Sequence, residues 1–183
     1  MKQFFLKKGM LILFLAFLVF LTVNESTQAY SPHGWRFFKC STCSTSYPTY
    51  SWGDRLTGSS VIKTGWQNAI TSWHGKQSKV RFTYSSGSTS KLNSWYETSS
   101  TYYGRMYTSY DAFKFVTKFT GELNAGNTNI TKTNVAQSSG VHELGHAMGI
   151  DHVSGTSIMN TSRDRTRIYT PQTDDVNGIN AIY

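Results

Sequence analysis

The chain is 183 residues long, which is enough for one domain with a real hydrophobic core. Its formal net charge at pH 7 is +8, a balance that is compatible with acidic surfaces such as anionic cell envelopes. The lysines and arginines are scattered and form neither a basic run nor a spaced nucleic-acid-binding motif. The composition therefore argues against a nucleic-acid-binding protein.

The first 29 residues have the three parts of a secretory signal peptide. Lysines at positions 2, 7 and 8 precede the apolar run Met10–Val23, and a small and polar stretch ends at Ala29. We predict cleavage after Ala29, which leaves one domain over residues 30–183 and lowers the net charge to +6, because three lysines and one glutamate are lost. An uncleaved membrane anchor is the alternative, but the apolar run falls short of the roughly 20 residues that a spanning helix needs.

Cys40 and Cys43 are the only cysteines of the chain. In a cytosolic protein such a pair would indicate a redox site or half of a zinc site, but there is no second pair and the predicted compartment is oxidising. We therefore predict a local disulfide that acts as a clip on a short loop. The alternative is that one of the two thiolates caps a zinc ion in a latent form of the protein.

The first elements of the domain are predicted to be a strand, a helix and a second strand. Tyr47–Trp52 reads as a short strand, and its proline places it near a sheet edge or at the start of a strand. A serine cap at Ser59 or Ser60, followed by apolar residues at helical spacing, predicts a helix that ends near Gly75. Val80–Tyr84 alternates with a period of two, as a half-buried strand does.

Further strands and two helices are predicted in the second half. We place a strand at Gly104–Thr108 and one or two strands within residues 112–123. Val135–Met148 is predicted to be a helix that Gly149 terminates. After an irregular stretch comes a last helix, with Thr170 as its cap, a proline at its first position and two aspartates in its first turns.

The helix at 135–148 carries the chemistry. His142 and His146 are four residues apart, so both rings project from one face of a helix and can reach one metal ion, with Glu143 beside them. Gly149 can adopt a positive φ and turn the chain, which would bring His152 back as a third ligand. The sequence therefore predicts a zinc ion held by His142, His146 and His152.

Three neutral imidazoles leave the fourth tetrahedral position for water, as a catalytic zinc site requires. Zinc lowers the pKa of that water to near 7, and Glu143 can take its proton as the water attacks a peptide carbonyl. A plain amphipathic helix that happens to carry histidines is the alternative reading. The two remaining histidines, His33 and His74, are interpreted as surface or core residues.

This pattern resembles that of the metzincins, in which the third histidine is followed by a methionine turn. Ser157–Asn160 is similar to that turn, and the resemblance implies that Met159 packs as a floor beneath the zinc ligands, although a plain core methionine would pack in much the same way. Residues 174–183 resemble the C-terminal helix of the matrixin branch. The resemblance implies an α+β fold, a single catalytic domain with a twisted mixed sheet, an active-site helix and a C-terminal helix.

The matrixin resemblance also implies where a substrate binds. Residues 121–125 are similar to the edge strand that lies along the substrate, so Leu123 and Ala125 are expected to offer backbone groups to an extended peptide. The cleft is expected between the strand at 117–125 and the helix at 142–148, with residues 160–170 as the wall of the pocket just past the scissile bond.

Some family features lack support in this chain. Thr161 stands where astacin-like and serralysin-like relatives have a tyrosine, which favours the matrixin branch. Between residues 76 and 141 the only acidic residues are Glu97, Asp111 and Glu122, so we predict no structural zinc, and calcium has little support. Only about 17 residues separate the predicted cleavage point from the first strand, which leaves no room for the family's propeptide.

These observations favour a secreted zinc-dependent endopeptidase that acts on extended polypeptides. We expect a monomer that binds no nucleic acid and is not inserted in a membrane after signal cleavage. A non-catalytic secreted module that keeps zinc for stability is the alternative, although a structural site has no need of a base such as Glu143. Hydrolysis of another amide, for instance in cell-wall peptide, is a third hypothesis.

Overall fold

The computed structural model describes residues 30–56 and 60–183. The predicted signal peptide, residues 1–29, lies outside the described residues. Within the described part of the chain, no helix has both the length and the apolar character needed to cross a membrane.

The scaffold is a mixed sheet of five strands. Four of them run parallel to their neighbours, and the fifth pairs in an antiparallel manner at one edge. The spatial order is β3-β2-β4-β6-β5, where the strands are β2 (Thr49–Trp52), β3 (Thr83–Tyr84), β4 (Lys91–Trp95), β5 (Gly104–Tyr110) and β6 (Val116–Asn124).

Three helices and a small two-stranded ribbon complete the described fold. The helices are α1 (Ser60–Lys76), α2 (Thr133–Ala147) and α3 (Thr173–Ile182). In the ribbon, β1 (Ser31–Pro32) pairs in an antiparallel manner with β7 (Ile150–Asp151), which joins the start of the domain to the chain just after α2. This arrangement confirms the predicted α+β class with a mixed sheet, an active-site helix and a C-terminal helix.

Two tryptophans of α1 join the helices to the sheet. The side chains of Trp66 and Trp73 are both 0% exposed, so each removes a large apolar surface from water. Their indole N–H groups are also satisfied: Trp66 donates to the Asn93 carbonyl at 2.9 Å and Trp73 to the Val141 carbonyl at 2.9 Å. These bonds connect α1 to β4 and to α2. They therefore fix the position of α2, the active-site helix, relative to the sheet.

Helices α1 and α2 approach each other closely because two glycines face the contact. A Cβ atom at Gly65 would lie 2.5 Å from the Cβ of Ala136, and one at Gly140 would lie 3.0 Å from the Cβ of Ala69. Neither position has room for a side chain without a shift of the partner helix. The close packing holds α2 rigidly along the sheet.

Most predicted elements are present, with differences at their ends. Strand β4 escaped prediction because its serine and asparagine residues hide the alternation that strands usually show. The predicted strand at 80–84 is paired as a strand only at Thr83–Tyr84. The predicted cap of the last helix is wrong: the N-cap is Gln172 and not Thr170, because Gln172 and Asp175 form a reciprocal capping box.

The two cysteines form the predicted local disulfide, Cys40–Cys43. The amide of Cys43 donates to the Cys40 carbonyl at 3.1 Å, so the bond closes a tight turn. Both sulfur atoms are used in this bond, which excludes the alternative of a thiolate cap on a metal in the form described here.

The prediction that residues 121–125 form the edge strand is wrong. Strand β6 lies between β4 and β5, and Leu123 is paired with Ser94 on one side and Gly104 on the other. The Ala125 amide donates to the Trp95 carbonyl at 2.7 Å. The backbones of Leu123 and Ala125 are therefore occupied within the sheet, and β5 is the edge strand instead.

Asp175 connects α3 to the loop that follows the third histidine. Its carboxylate accepts hydrogen bonds from the Ser157 hydroxyl, from the Ile158 amide at 2.9 Å and from the Gln172 amide at 2.7 Å. The residue is 2% exposed, so these bonds form away from water and are strong. Asp175 thus does more than stabilise the start of its own helix.

Replacing Gly65 with alanine should destabilise the protein by about 1–3 kcal/mol, because the new methyl group overlaps with Ala136. The matched control is Gly75→Ala in the same helix, where a Cβ meets nothing within 4 Å. That change should stabilise the protein by roughly 0.5–1 kcal/mol. Urea unfolding of both variants checks the pair, and equal stabilities would contradict the close packing of α1 on α2.

Replacing Asp175 with asparagine should lower the free energy of unfolding by about 2–3 kcal/mol, since an amide N–H₂ group then faces buried N–H donors. Asp174→Asn is the control, because Asp174 lies in the same helical turn and is partly exposed. It should cost about 1 kcal/mol or less. Denaturant titration measures both, and a similar loss for the two variants would show that the Asp175 bonds contribute little.

Candidate metal centre

Helix α2 and the turn after it bring three histidines together. His142 and His146 lie on one face of α2, and the chain reverses at Gly149, whose φ is +100°. A Cβ atom at Gly149 would collide with the Trp35 carbonyl oxygen, so a side chain is excluded both by backbone conformation and by space. The reversal places His152 opposite the two helical histidines.

The three Nε2 atoms form a nearly equilateral triangle. His142 lies 3.1 Å from His152 and 3.2 Å from His146, and His146 lies 3.1 Å from His152. Three nitrogens bound to one tetrahedral zinc at about 2.0–2.1 Å are about 3.3 Å apart. The triangle therefore has the size that a single zinc ion requires.

The other ring nitrogens set the orientation of the two helical histidines. His142 Nδ1 lies 2.8 Å from the Ile158 carbonyl, and His146 Nδ1 lies 3.0 Å from the Ile150 carbonyl. A carbonyl accepts only from an N–H, so both rings carry their proton on Nδ1 and turn the Nε2 lone pair to the centre of the triangle. The Arg163 nitrogen Nη1 also lies 3.2 Å from His142 Nδ1. This nitrogen donates to the Asn160 carbonyl, so it does not require His142 Nδ1 as an acceptor.

The electrostatic setting keeps these imidazoles neutral. Burial, together with the Arg163 guanidinium and the neighbouring histidine rings, holds the pKa of His142 well below its usual value. Burial and the His152 ring lower the pKa of His146 to about 4. Neutral imidazole is the form that binds a metal, so the site is ready for an ion at neutral pH.

Glu143 lies beside the triangle in a closely packed place. It is 5% exposed, and burial raises the pKa of its carboxyl to about 8, an effect that the Arg163 and Arg165 guanidinium groups partly offset. A Cβ atom at Gly104 of β5 would lie 2.6 Å from Glu143 Oε1, so the edge strand can pass this close only because it has a glycine there. Glu143 thus lies where β5 and α2 meet.

Met159 packs beneath the histidines. It is 1% exposed, and a Cβ atom at Gly145, between His142 and His146 on α2, would lie 2.5 Å from its sulfur. The Met159 amide donates to the Ser157 hydroxyl at 2.8 Å, which is itself bound to Asp175. The Met159 sulfur thus lies against α2 at Gly145, and the floor that the family resemblance implies for this methionine stays a prediction.

The lead-in segment contributes neighbours that the sequence did not reveal. His33 Nε2 lies 3.1 Å from His146 Nδ1, and the Trp35 indole donates to the His146 carbonyl at 3.1 Å. The His33 and Trp35 rings are stacked with centroids 4.2 Å apart. More than 100 residues separate these partners along the chain, so no local pattern could have indicated the contact. His74, by contrast, is structural: its Nε2 accepts the Phe82 amide at 3.0 Å.

An open cleft of about 960 Å³ runs past the triangle. It is lined by β5 and the residues just before it, by α2, and by a wall that contains Thr161, Arg163 and Arg165. The wall agrees with the prediction for residues 160–170, while the strand side is β5 and not β6. A cleft of this volume is typical of a ligand-binding site.

Comparison with curated protein sequences finds no match. Among solved structures, the chain is similar to high choriolytic enzyme 1 (HCE-1), a hatching enzyme zinc-protease from Oryzias latipes (medaka fish), with 15% sequence identity over 80% of this chain and 94% of that chain and a TM-score of 0.48. The family model described as Matrixin matches residues 46–183, which include all three histidines, Glu143 and Met159. The chain belongs to the matrixin family of zinc metalloendopeptidases.

Proposed function

We propose that this protein is a secreted endopeptidase that binds one zinc ion through His142, His146 and His152 and hydrolyses peptide bonds of extended polypeptides. The observation that carries the proposal is the triangle of Nε2 atoms beside Glu143 in an open cleft. A structural zinc site is normally closed by a fourth protein ligand. Here the fourth side faces the cleft, as a catalytic site requires.

Glu143 supplies the general base of the proposed reaction. A bound zinc ion would make a water molecule acidic near neutral pH and polarise the substrate carbonyl. Glu143 takes the proton from the attacking water and later delivers it to the leaving amine nitrogen. The raised pKa of the buried carboxyl suits this role, because a group that must both accept and release a proton works best with a pKa near the working pH.

The edge strand β5 positions the substrate backbone in this proposal. Its partner β6 occupies one side, and the other side faces the cleft next to α2. An extended peptide can add to such an edge as a further strand, so that its backbone is aligned over the zinc site. This assigns to residues 104–107 the role that the sequence suggested for Leu123 and Ala125.

Secretion is proposed from the signal-like segment at residues 1–29. The Cys40–Cys43 disulfide is consistent with it, because such bonds persist in oxidising compartments. A non-catalytic zinc-containing module has less support, since a buried carboxylate beside the triangle serves no purpose in a structural site.

Replacing Glu143 with alanine should reduce turnover of casein by about 10²- to 10⁴-fold, because the proton acceptor is lost. Zinc content should stay near that of the wild type, since all three imidazoles remain. Asp54→Asn, at an exposed carboxylate outside the cleft, is the control and should leave turnover unchanged. Retained cleavage by Glu143→Ala at a chelator-sensitive, near wild-type rate would exclude Glu143 as the base.

Replacing His152 with alanine should weaken zinc binding by more than about 100-fold, since even the loss of a hydrogen-bond partner of a ligand costs about 10- to 100-fold. The His152 side chain is 52% exposed, so the metal-free variant should unfold at the same temperature as the metal-free wild type. Zinc at about 100 times its Kd should stabilise the wild type by about 2.7 kcal/mol. Thermal unfolding with and without zinc tests this, and equal stabilisation of both proteins would place the metal elsewhere.

A further inference from the structure

Two arginines of the cleft wall have no role in the proposed chemistry. Arg163 and Arg165 both line the cleft. In the part of the chain that the structure describes, the arginines that form ion pairs are Arg105, with Glu122, and Arg167, with Asp164. The two wall arginines therefore bring positive charge to the cleft without a paired carboxylate.

Arg163 is buried, and the groups that accept its hydrogen bonds are neutral. It is 6% exposed, and its Nε donates to the Ser138 hydroxyl at 3.0 Å. Its other nitrogens donate to the Ser138 carbonyl at 2.9 Å and to the Asn160 carbonyl at 3.0 Å. These bonds hold the guanidinium in place but do not balance its charge, and an unbalanced buried charge is costly.

Arg165 lies nearer the solvent and keeps donors unused. Its guanidinium stacks over the Tyr103 ring at 3.9 Å, and one terminal nitrogen donates to the Thr161 carbonyl at 3.2 Å. Its Nε atom is buried and has no hydrogen-bond partner among the described residues. Stacking on an aromatic ring leaves the edge of a guanidinium open for a planar anion. Arg165 is therefore fixed in place with donors to spare.

The nearest negative group cannot serve as their lasting partner. Glu143 interacts electrostatically with both arginines. It forms no ion pair with either, and the proposed function assigns it to proton transfer. A zinc ion at the triangle would add two further positive charges. Two carboxylates, Glu97 and Glu143, line the cleft together with the guanidinium groups of Arg105, Arg163 and Arg165, of which Arg105 is paired with Glu122. With the ion added, the charge of the cleft is positive beside the point of cleavage.

We propose that Arg163 and Arg165 select an acidic side chain, aspartate or glutamate, at the substrate residue just past the scissile bond. The inference rests on the proposed function and adds a substrate class to it. A carboxylate accepts two parallel hydrogen bonds from a guanidinium, and such bonds are strong where water is excluded. The α-carboxylate of a chain end has the same chemistry, but an open cleft with an edge strand accommodates a continuing chain, which favours a side chain.

The first test compares peptides that differ only in the residue after the cleaved bond. Internally quenched peptides with Glu, Gln, Leu or Lys at that position are given to the zinc-loaded wild type, and mass spectrometry identifies the bond that is cut. The Glu peptide should exceed the Gln peptide by about 10- to 100-fold in kcat/KM, the ratio expected for a hydrogen bond to a charged group. The ratio should fall as salt is added.

Charge variants at the wall form the second test. Arg165→Gln should bring the Glu-to-Gln ratio toward one, and Arg165→Glu should invert the order so that the Lys peptide is preferred. Arg163→Lys is included because Arg163 is buried and a larger change there risks misfolding. Arg167→Gln is the matched control: its side chain is 86% exposed and lies outside the cleft, so the ratio should not change.

A binding measurement separates failure of this inference from failure of the proposed function. Fluorescence anisotropy of the same peptides on zinc-loaded Glu143→Ala reports preference without turnover. Tighter binding of the Glu peptide that is lost in the double variant with Arg165→Gln supports the inference. This holds even if the wild type cleaves no peptide, a result that would contradict the endopeptidase proposal alone. Equal binding and equal cleavage of the Glu and Gln peptides overturn the inference alone. Dependence on a free terminal carboxylate in place of the side chain overturns it as well.

Discussion

The reversal of the chain at Gly149 is the constraint on which the site depends. Without a positive φ at this point, the backbone would continue along α2 and His152 could not face the other two rings. The Trp35 carbonyl fills the space where a side chain would be, and the His33 amide donates to the Gly149 carbonyl at 2.7 Å. The lead-in segment therefore holds the turn in place. Because its Trp35 carbonyl occupies the space of a side chain, it also makes glycine necessary at position 149.

Around this turn, backbone groups and buried side chains set the direction of each ring. The Ile158 and Ile150 carbonyls orient the two helical histidines, and both carbonyls belong to chain segments that follow α2. Asp175 holds the loop that contains Ile158, while the β1–β7 ribbon holds Ile150. The metal centre is thus supported by both ends of the domain. A change in α3 therefore affects the orientation of the histidines through these connected hydrogen bonds.

The electrostatics of the cleft follow from the same packing. Burial keeps His142 and His146 neutral and makes the Glu143 carboxyl hard to ionise, while Arg163 and Arg165 partly offset the effect on Glu143. One buried environment therefore favours metal binding, proton transfer and the attraction of negative groups. The fold places these groups within one cleft because Gly104 lets the edge strand pass directly over Glu143.

The sequence by itself determined the helices, the local disulfide and the spacing of the three histidines, because each depends on residues that are near one another in the chain. It could not determine which strand lies at the edge: β5 and β6 carry similar strand patterns, and only the order β4-β6-β5 makes Leu123 central and Gly104 exposed to the cleft. The contact of His33 with His146 and the hydrogen bond of Arg163 to Ser138 also depend on residues far apart in sequence. Tertiary packing alone decides such pairings, since the periodicity of a segment states which face is buried but not what lies against it.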